Sequence, residues 1–162
     1  MSSPDRTTRG VRTIKAAMLV TDVGFLLYWT AALLNLIPPQ QAYKDYGDPV
    51  MSDWNFSFLP LDIAASITGL ASLCLAGNRR HQKKTHAHLL PLQLMLISLT
   101  LTSVAGLQAV AFWALRGDWS LIWWIPNLIL LVFPIPSIVY LMRGPTAGDA
   151  PADDPAAALG RR

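Results

Sequence analysis

The chain contains no glutamate. All ten acidic residues are Asp, so carboxylate chemistry rests on Asp alone. Charge is scarce altogether, at 14% of 162 residues, where average soluble chains carry roughly 25%. The single cysteine, Cys74, excludes an intramolecular disulfide. Its place near the end of an apolar run predicts a buried, inert thiol. There is no P-loop, no Gly-rich nucleotide fingerprint, no Ser-His-Asp arrangement and no CxxC. His81, His86 and His88 have no Cys or acid nearby to complete a metal shell, so they predict a solvated basic loop attracted to anionic headgroups. No metal and no cofactor are expected. The net charge of +3 comes without a basic stripe interleaved with aromatics, which argues against a nucleic-acid partner. No internal repeat is present.

What the chain has in abundance is apolar sequence, 52% of it. Four spans emerge, at about 14–37, 54–76, 89–115 and 120–142. Each is long enough to cross a bilayer, which takes about 20 mostly apolar residues. The spans are continuously apolar, whereas a membrane barrel alternates over about 10 residues. The expected fold class is therefore all-α, a polytopic four-helix membrane bundle over 14–142. Residues 1–13 form a basic tail expected to be mobile. Residues 143–162, with their Pro, Gly, Ala and Asp, predict a disordered tail. The first span is longer than a signal-peptide core of about 7–15 residues, contains Asp22, and ends in Leu-Ile-Pro-Pro. No cleavable signal peptide is expected.

Lys and Arg set the orientation. Eleven of the 13 basic residues lie before the first span or in its first turn (Lys15), between the second and third, or after the fourth; only Lys44 and Arg116 lie on the other side. Both termini are expected in the cytoplasm. Cysteine-accessibility labelling that placed Gly47 and Gly148 on the same side would overturn this. All six Trp fall toward the opposite end, either as an interfacial belt or as the wall of an aromatic pocket. Trp29 is the best pocket candidate, since it lies a turn or more inside its helix. The loop 38–53 is long for a helical hairpin and is either an exposed connection or a lid.

Two carboxylates fall inside the spans. Asp22 lies in Ala16–Ile37 and Asp62 in Phe56–Ala76. A charged side chain at a membrane centre costs about 2.5–3.5 kcal/mol or more, so such residues are functional or paired inside the bundle. A rise of about 1.5 Å per residue puts Asp62, Gln108 and Asn127 in one layer, roughly 10–12 Å from the outer ends of their helices. Asp22 lies about 6 Å deeper. Asn55, Asp62, Ser66 and Gly69 share a helix face, as do Asp22, Phe25 and Trp29. Ser98, Thr102 and Gly106 give small residues at four-residue spacing, which lets a neighbouring backbone approach. Pro126, Pro134 and Pro136 free carbonyls in the fourth span, tolerable where the break is buried or lines a wet cavity. Pro60 is harmless if it sits in a first turn.

Several strings are familiar together: Thr21-Asp-Val-Gly-Phe-Leu-Leu-Tyr-Trp29, Tyr43-Lys-Asp-Tyr46, Asp53-Trp-Asn-Phe-Ser-Phe-Leu-Pro-Leu-Asp62, Gly106-Leu-Gln-Ala-Val-Ala-Phe-Trp113 and Trp123-Trp-Ile-Pro-Asn127. Over about residues 14–142 the chain resembles the YvaD-like family of small bacterial four-helix membrane proteins. The resemblance implies a bacterial inner-membrane protein and implies no activity. In layout alone the chain is similar to four-helix sterol isomerases and to small membrane terpenoid cyclases, which set intramembrane acids against lipophilic substrates.

The resulting expectation is an acidic intramembrane pocket for a lipophilic small molecule. Its chemistry would be acid–base isomerisation or cyclisation of an isoprenoid or lipid. Asp62 would be the acid and Asp22 its partner. Asn127, Gln108, Asn55 and Trp113 would line the substrate site, with Trp29 steadying a developing cation through its ring face. Membrane lipids and further copies of the chain are the expected partners. The alternatives are a non-catalytic accessory or binding protein, a small oligomeric proton-coupled transporter, or polar residues that only hold helices together.

Overall fold

A computed structural model describes residues 4–38, 45, 47–77 and 89–143. The described residues are helical with no strand. The helices are α1 (Pro4–Leu33), α2 (Pro49–Phe56), α3 (Leu59–Gly77), α4 (Leu89–Leu115), α5 (Leu121–Val132) and α6 (Pro134–Arg143). By length and composition they supply four membrane-crossing segments: Arg9–Leu33, Pro49–Gly77, Leu89–Leu115 and Leu121–Arg143.

The boundaries differ from expectation at identifiable residues. Helix α1 starts at Pro4, within the stretch expected to be mobile, because extending an existing helix is far easier than nucleating one. It ends before residue 37 because Asn35 adopts a left-handed conformation (φ 54°). The amides of Asn35 and Leu36 then reach back to the carbonyls of Ala32 (3.1 Å) and Ala31 (2.8 Å), a Schellman closure. Gly117 (φ 64°) ends α4 the same way, with Asp118 N–H on Trp113 O at 3.0 Å. The second span begins at residue 49, earlier than 54. Asp48 Oδ1 accepts the Val50 amide at 2.9 Å and Pro49 opens α2, an N-cap followed by a first-turn proline. Part of the loop 38–53 is thus helix. Residues 39–44 and 46, the basic loop 78–88 with its three His, and the tail 144–162 lie outside the described residues.

The fourth span is two helices because its prolines remove amide donors. Hydroxyls engage the carbonyls around the break. Ser103 Oγ, from α4, donates to Leu131 O (3.0 Å) and Ser137 Oγ to Phe133 O (3.0 Å).

Helix α4 is the hub, packing on α3, α5 and α6, while α1 packs on α3. The α4–α5 contact is backbone on backbone. A Cβ on Gly106 would lie 2.7 Å from Asn127 O and 2.9 Å from Leu130 C, so only glycine fits. Toward the start of α1 and the end of α6, Ile14, Met18, Met95 and Leu99 form an apolar core, with Phe133, Ile138 and Leu141 against it. The outward faces carry Leu27, Ile67, Leu107, Leu121 and Ile129, all exposed, as a bundle in lipid requires. Cys74 is exposed on α3. The expectation of a buried thiol fails because Cys74 falls on the opposite side of α3 from Ser66, Gly69 and Ser72.

Candidate functional site

At the other end of the bundle the helices do not close. A cavity of about 350 Å³ lies between α1, α2, α3, α4 and α5, within the usual ligand-pocket range of about 300–1,000 Å³. The sequence builds it by spacing. On α4, Ala105, Ala109 and Trp113 line it at four-residue intervals; two small side chains make the hollow and a large one bounds it. On α1, Phe25, Tyr28 and Trp29 share the facing stripe, and on α5 Trp123, Asn127 and Leu130 do so. Helix α2 contributes Met51, Trp54 and Asn55, and Asp62 comes from the first turn of α3.

Asp62 is buried, at 6% exposure. The Trp29 indole Nε1–H donates to its Oδ2 at 2.9 Å. Its Oδ1 is buried with no hydrogen-bond partner among the described residues. Trp29 itself is 2% exposed, so this bond joins the first and second spans away from solvent. The Asn127 amide Nδ2 donates to Trp123 O at 2.7 Å within α5, which fixes the side chain at the cavity wall.

The aromatic residues divide into two groups. Trp29, Trp54, Trp113 and Trp123 line the cavity. Trp54 stacks on Phe112 (3.9 Å, 21°) and meets Trp113 edge-on (5.6 Å, 81°), while Trp113 and Trp123 lie nearly parallel at 6.2 Å. Trp119 and Trp124 stack on each other at 4.8 Å outside the cavity, and Trp119 is exposed. The cavity therefore takes four of the six tryptophans and leaves Trp119 and Trp124 outside it.

Asp22 is placed elsewhere. It is 1% exposed and does not line the cavity. Its carboxyl occupies a packed three-helix contact. Ser98 Oγ of α4 donates to Oδ1 at 3.4 Å, and Ser66 Oγ of α3 donates to the Asp22 backbone carbonyl at 3.0 Å. A Cβ on Gly69 would collide with the Asp22 carboxyl, so the missing side chain makes its socket. Asp22 lies about 10 Å along α1 from Trp29, whose indole marks the level of Asp62. The two carboxylates thus occupy separate sites.

Gln108 also departs from the expected convergence, by its facing. It is exposed and absent from the cavity wall. One residue turns a helix by about 100°, so with Ala109 facing the cavity Gln108 faces outward. Of the expected site residues the cavity gathers Asp62, Asn127, Asn55, Trp29 and Trp113. Sequence reasoning missed Met51, Tyr28, Phe58 and the Ala105–Ala109 hollow. The alanine pair was visible as small residues at four-residue spacing ending in Trp113.

Residues 14–147 match the model of a family of unknown function, DUF5360. The uncharacterized protein YvaD of Bacillus subtilis (strain 168) is 44% identical over 133 residues, covering 82% of this chain and 94% of that protein. No solved structure matches.

Proposed function

We propose that this chain, which belongs to the family of unknown function DUF5360, binds a lipophilic small molecule in the cavity at one end of its membrane bundle. Asp62 engages the polar group of that molecule and the aromatic walls hold its apolar body. One observation carries the reading: a buried carboxyl, with one oxygen tied to Trp29 and the other unpartnered, lines an otherwise mostly apolar cavity. Buried polar atoms are nearly always satisfied, and a ligand donor would satisfy this one. The Lys/Arg distribution supports a bacterial inner membrane with both termini cytoplasmic and the cavity on the outer side. Self-association in the membrane remains part of the proposal.

The same oxygen favours a second, catalytic reading, isomerisation or cyclisation of an isoprenoid or lipid. A protonated Asp62 gives its proton to a carbon–carbon double bond. The Trp ring faces stabilise the resulting carbocation, and an adjacent carbon returns a proton to the carboxylate. One carboxyl serves as acid and then base, and Asp22 takes no part.

Native mass spectrometry of the purified full chain tests the binding reading. The wild type is expected to retain a small-molecule adduct, and Ala109→Phe, which fills the hollow, is expected to lose it. Equal retention in the filled variant would end the reading.

A further inference from the structure

On its wall the cavity carries one carboxyl and, among the described residues, no basic side chain. Asp62 is the only ionisable acid or base on its wall apart from the Tyr28 phenol, and no Lys, Arg or His lines it among the described residues. Arg116 lies over the Phe112 ring at 5.7 Å and is not a lining residue. A carboxylate removed from water needs a counter-charge as well as hydrogen bonds. Trp29 supplies a single N–H to Oδ2, and Oδ1 has no partner.

The rest of the wall points to the same missing sign. Trp54, Trp113 and Trp123 follow one another around it. Trp54 is turned 81° from Trp113, and Trp113 lies 23° from Trp123, so the ring planes take different directions. An aromatic ring is negative over its face, which attracts a cation and repels an anion. Asn55 and Asn127 add neutral dipoles. The carboxyl favours positive charge, a ring face presented to the cavity adds to it, and the two amides favour neither sign.

We propose that the ligand is an organic cation: a lipophilic amine in its protonated form, or a quaternary ammonium compound, with its charge beside Asp62 and its apolar body along the tryptophans. This rests on the cavity being a binding site. It adds the sign of the charge that the site selects. A neutral alcohol or terpenoid is the competing occupant, and the experiment separates the two.

The full chain is reconstituted in phosphatidylcholine nanodiscs, which present no anionic lipid. It is titrated with benzyltrimethylammonium and, separately, with neopentylbenzene, the uncharged compound of the same shape in which carbon replaces nitrogen. Binding is read by tryptophan fluorescence and by melting temperature. The cation is expected to bind saturably and about ten-fold or more tighter than the neutral compound, the separation a single charge contact provides. Asp62→Asn is expected to erase that preference. Asp53→Asn, an exposed residue that does not line the cavity, is expected to keep it. Equal or tighter binding of the neutral compound overturns the proposal, as does an unchanged preference in a folded Asp62→Asn. The two-compound comparison needs only the wild type, so it decides even where the variant fails to fold. If both compounds bind equally and Ala109→Phe abolishes both, the cavity reading stands and the cation inference falls. If neither binds, the cation inference falls, and the cavity reading is judged on the adduct retained by the purified protein.

Discussion

Asp62→Leu is expected to lower stability by about 1–3 kcal/mol and to abolish ligand retention, whereas Asp62→Asn keeps most of the stability and still loses the ligand. The difference lies with Trp29. Its indole N–H is buried and donates to Asp62 Oδ2 at 2.9 Å. Leucine offers no acceptor and strands that donor. The asparagine amide oxygen can still accept, but an amide provides neither a charge nor an exchangeable acid proton. Hydrogen bonds between membrane helices average about 0.6 kcal/mol, which sets the scale if Trp29 finds another acceptor. Melting temperature in detergent, measured beside adduct retention, separates the two roles. Equal melting of the Leu and Asn variants would show that the indole bond contributes no stability. Full retention in Asn would remove Asp62 from the binding account.

Gly69→Ala is expected to be at least as damaging, at about 2–3 kcal/mol, although it adds only a methyl group. That methyl would meet the Asp22 carboxyl and lie 2.7 Å from Ser98 Oγ. All three groups are buried where α1, α3 and α4 meet, and none is the loose end of a long side chain. Asp22→Ala should partly rescue Gly69→Ala, because the methyl then enters the space the carboxyl occupied. A double-mutant cycle on melting free energies should therefore show a coupling of about 1–2 kcal/mol. Additivity within about 0.5 kcal/mol would mean that the socket does not exist. Adduct retention by Asp22→Asn is expected to match the wild type, since Asp22 lies off the cavity.

The spans were legible because burial in lipid demands long apolar runs, and no residue inside 89–115 obscured that signal. The meeting of Asp62 and Asn127 was legible too, since a fixed rise per residue brings them to one level, and both line the cavity. The azimuth of the polar groups was harder to read. Gln108 had the right depth and the wrong face, because an error of one residue in facing rotates a side chain by about 100°. Asp22 and Trp29 were placed on one stripe and do share it. What each meets across the bundle depends on neighbours far away in sequence. Gly69, Ser66 and Ser98 make the socket for Asp22, while Asp62 receives Trp29. The helix ends turned on single residues, Asn35 and Asp48, whose local bonds override hydropathy. The cavity was the least legible feature because it is a shortage of atoms. It shows only when the small Ala105 and Ala109 are set opposite aromatic residues on other helices.

The bonds between α1 and α3 also bear on how the chain is made. Trp29 to Asp62 and Ser66 to the Asp22 carbonyl involve no residue beyond position 66. A ribosome that has delivered only the first two spans has already delivered both acids, the indole that donates to Asp62 and the glycine that makes room for Asp22. Within that pair Asp62 already has its indole donor, while the Asp22 carboxyl waits for the Ser98 hydroxyl of the third span. The first helical pair enters the bilayer with one acid bonded, and the third span brings the hydroxyl for the other.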